Sequence, residues 1–353
     1  MSLAFRSPLR RFAVTVAIVS MVAPPLGAQA AQVARPTGSV AGHTLGPHLF
    51  IPATSFPDPF VATYVRSLIG VGFAGGLEVP IFDRNDSIVQ IIEGDMSFLQ
   101  IDLEYQQRLN DWLALRVGVT GLARSGTETS TLLSEGLAAI YGAGLGATAR
   151  IWGNEKFLLS GALDTRSNQL FGMTPLEYLQ GVVQTVDSAF RYLDSAGINI
   201  DSTVVDSVLD ALDLDQYSLF ESDHTSATTG GLRLAFAPTP WLGLVGLAQS
   251  GVTGIFNGAN DKGLVDLGAA ASVDLLPLWR VPIGANVSLR WQSASDRGSD
   301  VARNATVLAV GVAYTGRGDF SVALEAVFAN FDQRQTADRG LAKRAGLAMR
   351  YYF

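Results

Sequence analysis

Few residues in this chain could do covalent chemistry. Cysteine is absent, and histidine occurs three times, at His43, His48 and His224. Without thiols there is no disulfide framework and no thiolate metal site. His43 and His48 lie five residues apart in a stretch with no periodicity and could hold a metal, but the reading goes against it. Asp206, Asp210 and Asp213 fall at i, i+4 and i+7 of an expected helix, with Asp215, Glu221 and Asp223 beyond. Oxygen clusters suit Ca²⁺ or Mg²⁺. The spacing is not that of an EF-hand loop and no glycine sits where one is needed, so a solvated acidic face is expected. No catalytic residue, metal site or cofactor is assigned, and the chain is not expected to be an enzyme.

The remaining chemistry is charge. Arg66, Asp102, Glu104, Arg116, Arg150, Arg233, Asp266, Asp274, Arg290, Glu325 and Arg350, with Asp164 and Arg344, each fall on the polar face of a period-2 alternation. In a closed sheet those positions line the lumen. Charges in a low-dielectric wall are costly unless paired or solvated. Mixed signs fit a paired network across a narrow lumen, or a water-filled path between opposed charged walls. Barrels near eight strands are filled by side chains and those near sixteen are open.

The elements that would position these charges are short and regular. Alternating segments are expected at 63–78, 96–108, 112–123, 137–151, 157–165, 225–237, 241–251, 264–276, 281–293, 304–315, 320–329 and 343–353. On the first, Ile69, Val71, Phe73 and Leu77 share one face. On 96–108, Leu99, Ile101, Leu103 and Tyr105 oppose Gln100, Asp102, Glu104 and Gln106. Twelve strands result, an even number, with both ends on the same side. A strand hidden in Pro80–Ile92, or a first strand outside the wall, would change the count. Connections alternate between tight turns at 109–112, 152–155, 238–241, 276–279 and 316–319 and long polar loops. Trp112, Trp152, Trp241 and Trp279 lie at the tight turns, and Tyr351 and Phe353 end the last strand. Together they read as an aromatic girdle at one membrane interface. Hydrophobic content is 48%, yet no stretch beyond the N-terminus is long enough for a spanning helix.

The last strand alternates Ala345, Leu347, Met349, Tyr351 and Phe353 with Gly346, Ala348, Arg350 and Tyr352. A chain closing on the Phe of such a strand resembles bacterial outer-membrane β-barrel proteins. The resemblance implies an all-β transmembrane antiparallel barrel in the outer membrane of a Gram-negative-type envelope. It also implies recognition of the terminal strand by the barrel assembly machinery. At the other end, Arg6, Arg10 and Arg11, the apolar stretch 12–22 and Ala28-Gln29-Ala30 read as a cleaved secretory signal peptide over 1–30. The formal charge of −7 argues against nucleic acid as a partner.

Two segments fall outside this pattern. Residues 31–62 carry Pro52, Pro57 and Pro59 among Phe50, Ile51, Phe56 and Phe60, and proline density excludes a sheet interior. The segment loosely resembles the hatch of outer-membrane fatty-acid and hydrocarbon transporters, which implies a lumenal plug; a periplasmic leader is the other reading. Residues 166–223 are expected to be a long helical loop inserted into the barrel domain 63–353. Thr174-Pro175-Leu176-Glu177 is a capping box with Pro at the first helical position, and a second helix should start near Asp201. His224-Thr225-Ser226 is similar over three residues to twelve-stranded outer-membrane phospholipases, which implies Ser226 as nucleophile and His224 as base. The Asn-Gly that follows in that family is Ala227-Thr228 here, and the reading is set aside. The function expected is a passive channel or transporter for an unidentified small solute, contacting outer-membrane lipid. The alternative is a non-conducting structural or surface-interaction barrel acting through loop 166–223.

Overall fold

The computed structural model describes residues 42–82, 88–127, 136–173, 219–253, 262–296, 302–332 and 339–353, with Pro175, Tyr178, Thr185, Ser188, Arg191, Tyr192 and Ser195 between. The expected signal peptide and the expected second helix near 201–213 lie outside the described residues.

Twelve strands form one closed antiparallel barrel. They follow a minimal hairpin, β1 (Thr44–Leu45) and β2 (His48–Leu49), which turns through Gly46 at a φ of 52°. The wall is β3 (Tyr64–Phe82), β4 (Ile88–Arg108), β5 (Leu113–Gly126), β6 (Leu137–Gly153), β7 (Phe157–Met173) and β8 (Phe220–Thr239). It continues with β9 (Leu242–Thr253), β10 (Lys262–Asp274), β11 (Ile283–Asp296), β12 (Ala302–Tyr314), β13 (Phe320–Asp332) and β14 (Arg339–Tyr352). Each strand pairs with its sequence neighbours, and β14 closes on β3, with Gly346 opposite Gly70 and Tyr352 opposite Tyr64. Following the pairing once round displaces the chain by about 14 residues, a strand tilt of roughly 40°. With strands ~4.8 Å apart, the backbone cylinder is roughly 23 Å across.

Alternation sets the two faces. Ile101, Val117, Leu145, Leu289 and Leu347 are exposed on the outside, while Arg66, Leu68, Gln106, Arg233 and Arg350 turn inward. On β4, Tyr105, Leu103, Ile101 and Leu99 precede the polar Ser97. On β12, Tyr314, Val312, Val310 and Leu308 precede Thr306. Eight residues at this tilt rise ~20 Å, close to the apolar band of a membrane barrel. Trp112, Trp152, Trp279, Tyr351 and Phe353 are exposed at the lower edge of that band, and Trp241 is partly covered at the same level.

Tight turns are fixed by their own side chains. Asn110 Oδ1 accepts from Trp112 N at 3.0 Å and Leu113 N at 2.9 Å; Asn154 Oδ1 accepts from Lys156 N at 2.8 Å and Phe157 N at 2.9 Å. Between β12 and β13, Arg317 forks onto Asp319 at 2.9 and 2.6 Å and holds that exposed carboxyl below its usual range. The β10–β11 connection differs from expectation. Strand β10 stops at Asp274, and residues Leu276–Trp279 form one helical turn ended by Arg280 at a φ of 58°.

Two further expectations are corrected. Leu77 does not share the face of Ile69 and Phe73, because a bulge at Gly75–Gly76 inserts one residue and sets Leu77 opposite inward-placed Gly94. The expected count of twelve holds: among the described residues of 80–92, β3 and β4 run on, paired from Leu77–Gly94 to Phe82–Ile88. The helical loop is shorter than 166–223. Strand β7 continues to Met173 and β8 starts at Phe220, paired throughout from Arg166–Ala227 to Met173–Phe220. That stretch mixes polar residues on both faces with Leu170, Phe171, Met173 and Phe220, so it carries no clean hydrophobic period. The described positions between Pro175 and Ser195 are helical; Thr174 and Glu177 of the expected capping box lie outside the described residues.

Residues 42–63 lie within the barrel. Leu45, Phe50 and Phe60 pack on Leu158, Ala235 and Ala237 of β7 and β8. Ile51 packs on Leu68, Ala313, Ala323 and Ala348 of β3, β12, β13 and β14. Phe56 meets Leu247 of β9. A chain that touches opposite sides of a closed wall must cross its lumen. Glycines make the room: a Cβ on Gly268 would stand 2.7 Å from Phe56 Cε2, and one on Gly243 2.7 Å from Phe50 Cε1.

Candidate functional site: a charged chamber above the N-terminal segment

The segment is tied to the wall all round the barrel, chiefly through its own backbone. Gln106 Nε2 donates to Phe60 O at 2.9 Å and Ala62 O at 3.0 Å, and Ser160 Oγ donates to Pro59 O at 2.6 Å. Arg233 donates to Asp58 O at 3.1 Å and Arg290 to Ser55 O at 3.0 Å. Glu325 Oε2 accepts from Thr54 N at 2.7 Å. A proline-rich strand of chain cannot pair with a sheet, so its carbonyls must be satisfied by side chains. His48 meets Pro240 O at 3.2 Å and Ser272 Oγ at 3.0 Å.

The deepest tie is ionic. Asp58 pairs with Arg350, both side chains almost fully buried, and its Oδ1 also accepts from Phe60 N at 2.9 Å. Arg350 lies over the Tyr64 ring at 4.6 Å and donates to Tyr352 Oη at 3.0 Å. His43 stacks on Tyr352 with ring centroids 3.7 Å apart. The inner face of the last strand therefore grips both ends of the segment.

On the long-loop side of the segment is a chamber of about 230 Å³. It is lined by Thr54–Asp58 below and by Arg66, Gln100, Asp102, Glu104, Arg116, Asp164, Arg166, Asn168, Arg290 and Arg344 around. Arg66 pairs with Glu104 at 3.1 Å, and Arg116 lies 3.9 Å from the same carboxylate while also pairing with Asp164. Asp164 pairs in addition with Arg233, Asp266 with Arg290, and Glu325 with Arg344 at 3.1 Å. Tyr64 Oη donates to Glu104 at 2.6 Å. Each ion pair joins different strands, so the network braces the wall as well as lining it. The inward positions of β6 opposite this network are Gly142, Gly144 and Gly146. A Cβ on Gly146 would stand 3.1 Å from Arg116 Nε, and one on Gly144 3.4 Å from Arg166 Cγ. Bare backbone there lets the arginines lie flat against the wall.

The expected lumen residues are thus gathered at two levels and a rim. Arg66, Asp102, Glu104, Arg116, Asp266, Arg290 and Glu325 belong to the chamber or its supporting pairs; Arg233 and Arg350 bind the segment. Asp274 sits lower, accepting from Thr315 Oγ1 at 2.9 Å and Leu276 N at 3.2 Å. Arg150 stands apart: the bulge that follows it leaves the side chain exposed at the turn-side rim, donating to Gly153 O at 3.2 Å. Several polar chamber residues were missing from the expected set. Arg166 and Asn168 lay beyond the assumed end of β7, and Asp58 lay in a segment with no periodicity. His224 faces outward and meets Ser167 Oγ at 2.7 Å, two strand positions from Ser226.

No protein-family model matches the chain, and no curated protein does. Among solved structures, an outer membrane channel from Pseudomonas putida F1 aligns with a TM-score of 0.47 at 8% identity, covering 86% of this chain and 100% of that one. The beta domain of the Bordetella autotransporter BrkA aligns with a TM-score of 0.45 at 14% identity, over 83% of this chain and 100% of that one. The translocator domain of the autotransporter NalP from Neisseria meningitidis aligns with a TM-score of 0.42 at 9% identity, over 83% and 88% respectively. The assignment of a transmembrane barrel rests on the strand pairing and the outward apolar band of this chain itself.

Proposed function

We propose that the protein is an outer-membrane channel for small polar solutes whose lumen is closed on the turn side by residues 42–63. The observation that carries this reading is the vertical division of the lumen. The upper half is a polar, solvent-reached chamber, whereas the lower half is filled by an apolar segment held mainly through its backbone. A barrel needed only for surface display gains nothing from a wet chamber and could fill the whole lumen with apolar side chains. Replacing buried ion pairs by apolar residues is often neutral or stabilising, so retained pairs around water point to a solute path. The apolar band and closed edge support a bilayer location, and the cleaved leader proposed for residues 1–30 would deliver it to the outer membrane. Single-channel recording in a planar bilayer tests the reading. The full chain should conduct in small or brief events, and the chain lacking residues 42–62 should stay open with larger steps. A closed record from both would leave the chamber without a path.

A further inference from the structure

We propose that the chamber is a binding site for a small oxyanion, a carboxylate or phosphate group, with Arg166 as its principal donor. Each of the other arginines around the chamber has a carboxylate within ion-pair distance. Arg166 has none among the described residues, although its side chain is exposed and lines the chamber. It lies along bare backbone at Gly144, and the like charges of Arg116 and Arg290 act on it across the lumen. A guanidinium in that setting is stabilised by an anion, and its planar fork matches two oxygens of a carboxylate or phosphate.

The charge balance of the chamber agrees. Around the chamber and the top of the segment, the described residues hold seven arginines against six carboxylates, in a chain whose formal charge is −7. One chamber carboxylate, Asp102, has no arginine within ion-pair distance among the described residues. Its Oδ2 accepts from Gln100 Nε2 at 2.8 Å, and Gln100 in turn accepts from Arg344 at 2.7 Å. Its Oδ1 is buried and has no hydrogen-bond partner among the described residues. A cation entering the chamber would therefore meet donors first, and an anion would meet the exposed Arg166.

The inference takes its physiological meaning from the channel reading, but equilibrium binding needs no conduction, so the two fail separately. The test is isothermal titration of the detergent-purified full chain with inorganic phosphate and with acetate at low ionic strength. Saturable binding of at least one is expected. Arg166→Gln should weaken it by about tenfold or more, the loss of one charge-assisted contact. Asp102→Asn should tighten it, because a like charge is removed from the same chamber. Neither substitution breaks a described ion pair, and heat-resistant migration on electrophoresis confirms a closed barrel in each. Absence of saturable binding to the wild type overturns the proposal, as does an Arg166→Gln protein that binds like the wild type. Weaker anion binding in Asp102→Asn would contradict the charge argument and also overturn it.

Discussion

Replacing Asp58 with asparagine should open the lumen without opening the sheet. Asparagine keeps the size of the side chain and can still accept from Phe60 N, but it carries no charge for Arg350. The Arg350 side chain is 5% exposed and that of Asp58 2%, so the guanidinium would be left buried beside Tyr64 and Tyr352 with neutral partners alone. Removing one member of a buried pair costs about 3–5 kcal/mol. That cost falls on the docked state alone, because once the segment leaves, water fills the lower lumen and solvates Arg350. The docking equilibrium should then shift by roughly two to nearly four powers of ten. The assay is open probability in a planar bilayer, with electrophoretic heat resistance as the check that β14 still closes on β3. Open probability should rise strongly, and Arg350→Gln should do the same. A variant with an intact barrel and wild-type gating would refute the claim that the Asp58–Arg350 pair holds the segment in place.

Other outcomes follow from the same geometry. Gly268→Val places methyl groups where the Phe56 ring now lies, the first added carbon already 2.7 Å from Cε2, and should expel the segment and raise conductance much as its deletion does. Gly268→Ala, which adds the first carbon without the two methyl groups, should have a smaller effect. Cysteines at Ile101, Val117, Leu145, Leu289 and Leu347 should react with lipid-dissolved labels, whereas cysteines at Gln100 and Thr120 should react with small aqueous ones. Epitopes inserted in the connections at 128–135, 174–219 or 333–338 should be reached by antibody on intact cells, and one at Asn110 should not. Surface detection at Asn110 instead would invert the orientation.

What was legible in the sequence followed from where lipid enforces a period. Between Tyr105 and Leu99, or Tyr314 and Leu308, outward positions must be apolar and the alternation is clean, so strand identity and facing could be read directly. Above the apolar band both faces of a strand meet water, and the constraint lapses. Strand β7 therefore seemed to end at Thr165, and Arg166 was assigned to a loop. Bulges erase the period in another way: Gly75–Gly76 carried Leu77 to the inner face with no change in composition. Arg66, Glu104, Arg116 and Arg290 were recognisable as inward charges, but their partners were not, because each pair joins strands set by the register of a closed sheet. The segment 42–63 has no period at all. Its prolines ruled out a sheet, yet its place in the lumen depends on complementary gaps at Gly243, Gly268 and Gly284, which lie some two hundred residues away. One signal was available in the sequence: those glycines occupy inward positions of strands otherwise filled by side chains.

The most direct test of the account is the single-channel conductance of the full chain beside that of the chain lacking residues 42–62, in the same bilayer and salt. The account predicts a low or intermittent conductance for the full chain and a larger, sustained one after deletion, since among the described residues it is the segment that fills the lower lumen of a barrel roughly 23 Å across. Equal conductance from the two proteins, with both barrels shown to be closed and inserted, would contradict it.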